Sequence, residues 1–312
     1  MLKRSTGGMK AGWMLLAAFF FATMGVCVKM ASASFNPAEL VFYRGLIGMA
    51  VMVALARARR IPLTTRYPGM HAWRSMVGVT SLIAWFYAIA HLPLATAVTL
   101  NYMSSVWIAA FLVGGTLMAW RPGAGHDRPP LQGALVLTVL TGFAGVVMML
   151  RPTIDPQQML AGVVGLFSGV TAAFAYMQVM ALSRAGEPEA RTVFYFAVGS
   201  AVTGLAGMAL VGVSPWSWEA ALWLPPLGLL ASGGQYCLTR AYATAGNHRG
   251  ALVVANLQYT GIVFAAGYGV LLFGDTIAPI AWAGMATIIA SGVAATVLRG
   301  RTPAPGDAVR RR

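Results

Sequence analysis

Ten runs of mostly apolar residues, each about as long as a helix must be to cross bilayer hydrocarbon, divide this chain. They fall near 12–32, 38–56, 73–91, 95–119, 131–150, 160–182, 191–213, 220–240, 250–273 and 279–298, separated by charged or Pro-containing breaks. The eighth is the least regular, because Pro225 and Pro226 interrupt it. A helix keeps its backbone polar groups bonded to one another, which is the condition for lying in lipid. A water-soluble helical core is the competing reading. Composition opposes it: 58% of the residues are hydrophobic and 10% charged, so the short connectors cannot supply a polar surface. The expected fold class is an all-α integral membrane protein of ten transmembrane helices.

The net charge of +14 raises the question of nucleic acid, and its placement answers it. Lys3, Arg4 and Lys10 precede the first run; Arg57, Arg59, Arg60, Arg66 and Arg74 follow the second; Arg121 and Arg128 follow the fourth. Arg184 and Arg191, then Arg240 and Arg249, then Arg299, Arg301 and Arg310 to Arg312 continue the pattern. The opposite connectors hold Glu39, Asp155, Glu219 and Asp275, with Arg151 as their clear cation. Basic residues in every second connector predict both termini in the cytoplasm of an inner-membrane protein. No aromatic-basic groove supports a nucleic-acid partner. The basic leader, the run WMLLAAFFFATMGVCV and Ala31-Ser32-Ala33 imitate a cleavable signal peptide, but the segment belongs to a repeat. Cys27 and Cys237 fall inside runs and read as small apolar side chains.

The repeat is the second constraint. GWMLLAAFFFATMGVCVKMA aligns, 150 residues on, with GVVGLFSGVTAAFAYMQVMA; PAELVFYR aligns with EARTVFYF; YAIAHLPLATAVTLNYMS aligns with YATAGNHRGALVVANLQY. TGFAGVVMML and SGVAATVL close the two copies. Each copy holds five runs, and an odd number forces the second copy to enter the membrane upside down. The expected organisation is therefore two inverted five-helix repeats, 1–155 and 156–300, with a basic tail at 301–312.

These residues resemble the EamA type of the drug/metabolite transporter superfamily. The likeness rests on the FYR at 42–44, the Lys29 closing the first run, and the ending GVLLFGDTIAPIAWAGMATIIASGV. Its LFGD is similar to the family's usual Leu-Gly-Glu turn, with Asp275 in the Glu position; the matching LVGGTLMAW of the first half has no acid. The resemblance implies a secondary carrier with a central cavity between its halves, lined by the first, third and fourth spans and their counterparts. It also implies substrates ranging from amino acids and amines to nucleotide-like metabolites.

Ionisable residues inside a span are costly and are functional candidates by default. Lys29 lies about 4–5 Å short of the outer end of its run and Arg44 about 9 Å inside the outer end of the next. Together they would meet a carboxylate or phosphate, while Lys29 snorkelling to headgroups and Arg44 pairing with Glu39 are the structural alternatives. Tyr43, beside Arg44, joins the set. Asn36-Pro37-Ala38-Glu39 reads as a capping box, and Asp155-Pro156-Gln157-Gln158 repeats the device.

Asn101, Tyr102 and Trp107, with Asn256, Gln258 and Tyr259 in the matching run, are the deeper polar and aromatic candidates. Tyr176, Gln178, Gln235 and Tyr236 extend them. Such groups hydrogen-bond or wall a ligand, and they equally glue helices together. Glycines including Gly45 and Gly48 permit close helix approach.

An enzyme would need a metal cluster, an acid-base pair or a phosphate loop. His71, His91, His126 and His248 are scattered without ligand spacing, so no metal or cofactor is expected. A channel fits the runs but leaves the inverted repeat idle. The expectation is a carrier in the bilayer, monomer or homodimer, moving a small polar metabolite, amino acid-like or carboxylate- or phosphate-bearing, across the inner membrane by alternating access, as facilitated efflux or exchange. A proton-coupled drug or amine exporter using Glu39 or Lys29 is the alternative, and interior cations oppose it by repelling a cationic substrate.

Overall fold

The structure is a computed structural model. It describes residues 5–104, 106–108, 111, 137, 140–142, 144–145, 148, 156–244 and 257–301. Its long elements are all helices: α1 Ser5–Ala31, α2 Pro37–Ala58, α3 Pro68–His91, α4 Leu94–Tyr102, α5 Pro156–Arg184, α6 Glu189–Val211, α7 Leu224–Ala243, α8 Thr260–Phe273 and α9 Pro279–Arg301.

Local chemistry sets the boundaries. Asn36 caps α2, its side chain accepting from the amides of Ala38 and Glu39, while the Glu39 carboxylate accepts from the Asn36 amide at 2.7 Å. Ser214 adds bonds to the same carboxylate from its amide and hydroxyl, at 3.0 and 2.6 Å. Glu39 is thus a buried structural anchor. Helix α8 stops at Gly274, whose φ of 61° is the left-handed conformation that glycine adopts without strain. The eighth run is irregular, as expected: it is divided between the one-turn helix Trp218–Ala221 and α7, with Pro225 and Pro226 in the first turn of α7, where no intrahelical donor is lost.

Among the described residues, four helical stretches, Gly12–Ala31, Pro37–Ala58, Gln158–Arg184 and Glu189–Val211, are long and apolar enough to cross a membrane. Helices α3 and α7 have spanning length and lie along expected runs, but they carry more polar residues and pack at the centre. Helix α4 covers only the start of its run, ending before a turn at Met103. The fifth run is described only at scattered positions, and residues 245–256 lie outside the described part.

Three pairings dominate: α2 on α6, α3 on α5, and α1 on α7. Helix α8 packs on α1 and α4, and α4 also packs on α5. The α2–α6 contact is close because it is built from small residues. A Cβ on Gly45 would strike the backbone of Ala197 and Ala201, and one on Gly204 would strike the backbone of Phe42. The first helix is part of this core, with Met14, Ala17, Met24 and Val28 fully buried.

Candidate functional site

A cavity of about 40 Å³ lies between α1, α2, α3, α4, α5, α6 and α7. Arg44, Arg74, Gly78, Ser81, Trp85, Asn101, Tyr102, Tyr176, Phe196 and Gln235 form most of its wall. That volume holds a few waters, so the chamber is closed down as it stands.

Two guanidinium groups dominate it. Arg44 is 4% exposed and Arg74 3%, and both stack on Phe196, their guanidinium carbons 4.9 and 4.1 Å from the ring centre. Arg44 donates to Ser200 Oγ at 3.3 Å and Arg74 to Gln235 Oε1 at 3.5 Å. The Nε of Arg44 and the Nε and Nη1 of Arg74 have no hydrogen-bond partner. Among the described residues no carboxylate lies in the wall. Helix α3 makes room for this: Gly78, one turn after Arg74, has no side chain, and a Cβ there would strike the guanidinium.

The other wall residues are tied into a polar layer. Asn101 Nδ2 donates to Ser168 Oγ at 3.1 Å, and Ser81 Oγ donates to the Ser168 carbonyl at 2.8 Å, joining α4 and α3 to α5. Gln258 Nε2 donates to the Tyr176 hydroxyl at 3.1 Å.

Of the residues singled out in the sequence, Arg44, Asn101, Tyr102, Tyr176 and Gln235 line the cavity. Gln258 stands behind Tyr176. Tyr259 is buried and Gln178 half-buried, neither in the wall. Trp107 stacks on Phe111. Tyr43 packs edge-on against Phe35 and Trp216 at the end of α2, since one residue turns it about 100° from Arg44. Tyr236 faces away from Gln235 and accepts from Arg59 at 2.6 Å and Arg240 at 3.1 Å. Asn256 lies outside the described residues.

Lys29 is not in the wall. Its Nζ lies 3.4 Å from Asp275 Oδ1 and 4.6 Å from the Phe273 ring centre. Asp275 Oδ2 also accepts from the Leu94 amide at 3.2 Å, so one carboxylate joins α1, the start of α4 and the end of α8.

The opposite end of the bundle has its own clamp. Glu187 accepts from Thr65 at 3.0 Å and from Arg191 at 3.2 Å, and pairs with His71 Nε2 at 3.1 Å. Arg191 also donates to the Pro62 carbonyl at 2.9 and 2.7 Å. Burial pushes the Glu187 carboxyl up, but the bonds from His71, Thr65 and Arg191 outweigh it and hold the carboxyl below its ordinary value.

Sequence reasoning missed Arg74 and Phe196. Arg74 was assigned to a basic connector, yet α3 begins at Pro68 and carries it inside. The signal was there: His71, Arg74, Gly78, Ser81 and Trp85 recur at three- and four-residue spacing, one face of one helix. Phe196 occupies the repeat position of Arg44 and drew no notice as an ordinary apolar residue.

Apolar helices packed around a buried chamber define a class, the helical membrane proteins. Comparison with known proteins carries this to a family. The EamA-like transporter family model matches residues 9–115. The pseudopaline exporter CntI of Pseudomonas aeruginosa is 33% identical over 288 residues, 92% of this chain and 96% of that protein. A Helicobacter pylori protein named an uncharacterized transporter is 28% identical, over 89% of this chain and 91% of that one. A solved structure titled "Crystal structure of protein" shares the fold, with a TM-score of 0.64 and 19% identity over 96% of this chain and 100% of that one. The chain belongs to the EamA-like transporter family of the drug/metabolite transporter superfamily. It is a multi-pass membrane protein of a transporter family.

Proposed function

We propose that this protein is a secondary carrier that exports a small carboxylate- or phosphate-bearing metabolite across the inner membrane, binding it between Arg44 and Arg74. The observation that carries this is the pair of buried guanidinium groups with no acid among the described residues that line their chamber. A buried charge without a counter-charge costs several kcal/mol, a cost that an anionic substrate removes when it binds. A cationic drug or amine would meet like charge there.

Alternating access follows from two inverted repeats, 1–155 and 156–300. The packing supports them: exchanging the halves maps the α1–α7 pair onto α5–α3, maps α1–α8 onto α5–α4, and returns α2–α6 to itself. In this arrangement the Lys29–Asp275 clamp closes the outer end and the Glu187 cluster the cytoplasmic end, both termini being cytoplasmic by the placement of basic residues. Outward movement is supported by the exporter named among the relatives.

Mass spectrometry of spent medium tests the reading. Cells making the wild type are expected to accumulate outside at least one carboxylate- or phosphate-bearing metabolite that cells making Arg44→Ala or Arg74→Ala do not. Unchanged export by both variants, or a purely cationic exported species, would contradict it.

A further inference from the structure

Resting on the carrier reading above, we infer that the ligand presents two negative charges to this chamber, as a dicarboxylate or a phosphate group, and is not a monocarboxylate or a zwitterion held by its carboxylate alone. Among the wall residues' fully buried side-chain polar atoms, those without a hydrogen-bond partner are Arg44 Nε, Arg74 Nε and Nη1, Trp85 Nε1 and the Tyr102 hydroxyl. Four of the five can only donate, and the hydroxyl can donate as well. Their side chains are at most 6% exposed.

Two of the wall's acceptors already hold a donor: Gln235 Oε1 accepts from Arg74 and the Tyr176 hydroxyl from Gln258. Gln258 Oε1, an unpartnered acceptor, belongs to a side chain outside the wall. The ligand that satisfies such a surface is rich in acceptor oxygens.

Charge gives the second constraint. Two guanidinium groups bring +2 into a water-poor chamber where no described carboxylate balances them. One carboxylate leaves half of that standing. An amino acid's ammonium group would find no acid among the described wall residues and would meet like charge from both arginines.

Phe196 explains how both arginines stay available. Stacking uses the flat face of a guanidinium and leaves its in-plane N–H groups free. One ring steadies two cations without consuming the donors that a two-charge ligand takes.

Matched probes decide the matter, using the full chain purified in detergent at constant ionic strength. Thermal unfolding is measured against succinate and its monoanionic amide succinamate, and against sulfate and the monoanion methanesulfonate. A ligand that binds the folded state raises the melting temperature with concentration. The expected result is a half-maximal concentration at least about tenfold lower for a dianion than for its partner, the difference collapsing in both Arg44→Gln and Arg74→Gln. Size-exclusion profiles show whether these variants are folded, and Trp85→Phe, which removes one donor and no charge, should weaken both members of a pair alike. Equal effects within each pair would overturn the inference, as would no stabilisation by either dianion up to the order of 10 mM. Equal effects that still vanish in the arginine variants would leave the anion carrier standing, whereas unchanged export by both arginine variants would remove the carrier site itself.

Discussion

The centre of this molecule and its two ends use the same residue types in opposite ways. At the ends each buried or half-buried cation has an acid: Lys29 has Asp275, and Arg191 has Glu187, with His71 against the same carboxylate. In the centre Arg44 and Arg74 have serine, glutamine and a shared phenyl ring. Pairing a charge makes a clamp that holds helices together. Leaving it unpaired in a chamber leaves the cost of its burial uncompensated, a cost that the proposed anionic substrate would relieve.

The sharpest way to break this contrast is to remove a central arginine. Arg44→Ala and Arg74→Ala are each expected to lower export at least about 30-fold, the loss typical of deleting one side of a buried charge pair. Folding should survive, with a melting temperature equal to or above the wild type, because an uncompensated charge has gone. A large fall in stability would make the arginine a clamp like those at the ends.

Next in size is Glu187→Gln, which strands Arg191 and His71. It should cost about 3 kcal/mol or somewhat less, given that Arg191 is partly exposed, read as a lowered melting temperature. The pH response adds a signature. The folded Glu187 carboxyl sits below its ordinary value of 4.5, so its stabilisation is present above that pH and is lost as pH falls through the folded value. The wild type should therefore lose stability on acidification more steeply than Glu187→Gln.

Gly78→Ala probes the centre more gently. Its Cβ would strike the Arg74 guanidinium and crowd the Phe196 ring, and about a tenfold rise in the substrate concentration for half-maximal export is expected, with a melting temperature lowered by overpacking that costs about 1–3 kcal/mol. The smallest effect belongs to the partly exposed Lys29–Asp275 end clamp. A double-mutant cycle of Lys29→Met and Asp275→Asn should give a coupling of about 1 kcal/mol or less, with export retained. Loss of export in Lys29→Met would erase the distinction between end and centre.

The bundle and the family were legible in the sequence because lipid permits few backbone solutions and because motifs such as FYR and LFGD are local. Arg44 was legible for a related reason: a cation deep in an apolar run has little structural excuse. Arg74 was not, since a basic residue near a predicted helix start looks like one more orientation signal. Lys29 and Asp275 lie far apart in the chain, so their pairing depends on the meeting of α1 and α8, which linear spacing does not record. Gln235 and Tyr236 show the same limit at one residue's distance: the first reaches Arg74, while the second turns to Arg59 and Arg240.

Adding an acid where the chamber lacks one tests the central claim most directly. Gln235 already touches Arg74, so Gln235→Glu supplies a carboxylate at nearly the same place and shape. Measured side by side in one variant, the melting temperature should rise and anion export should fall to background, because the new carboxylate takes the seat of the substrate. Export at the wild-type level in Gln235→Glu would contradict a reserved cationic seat between Arg44 and Arg74.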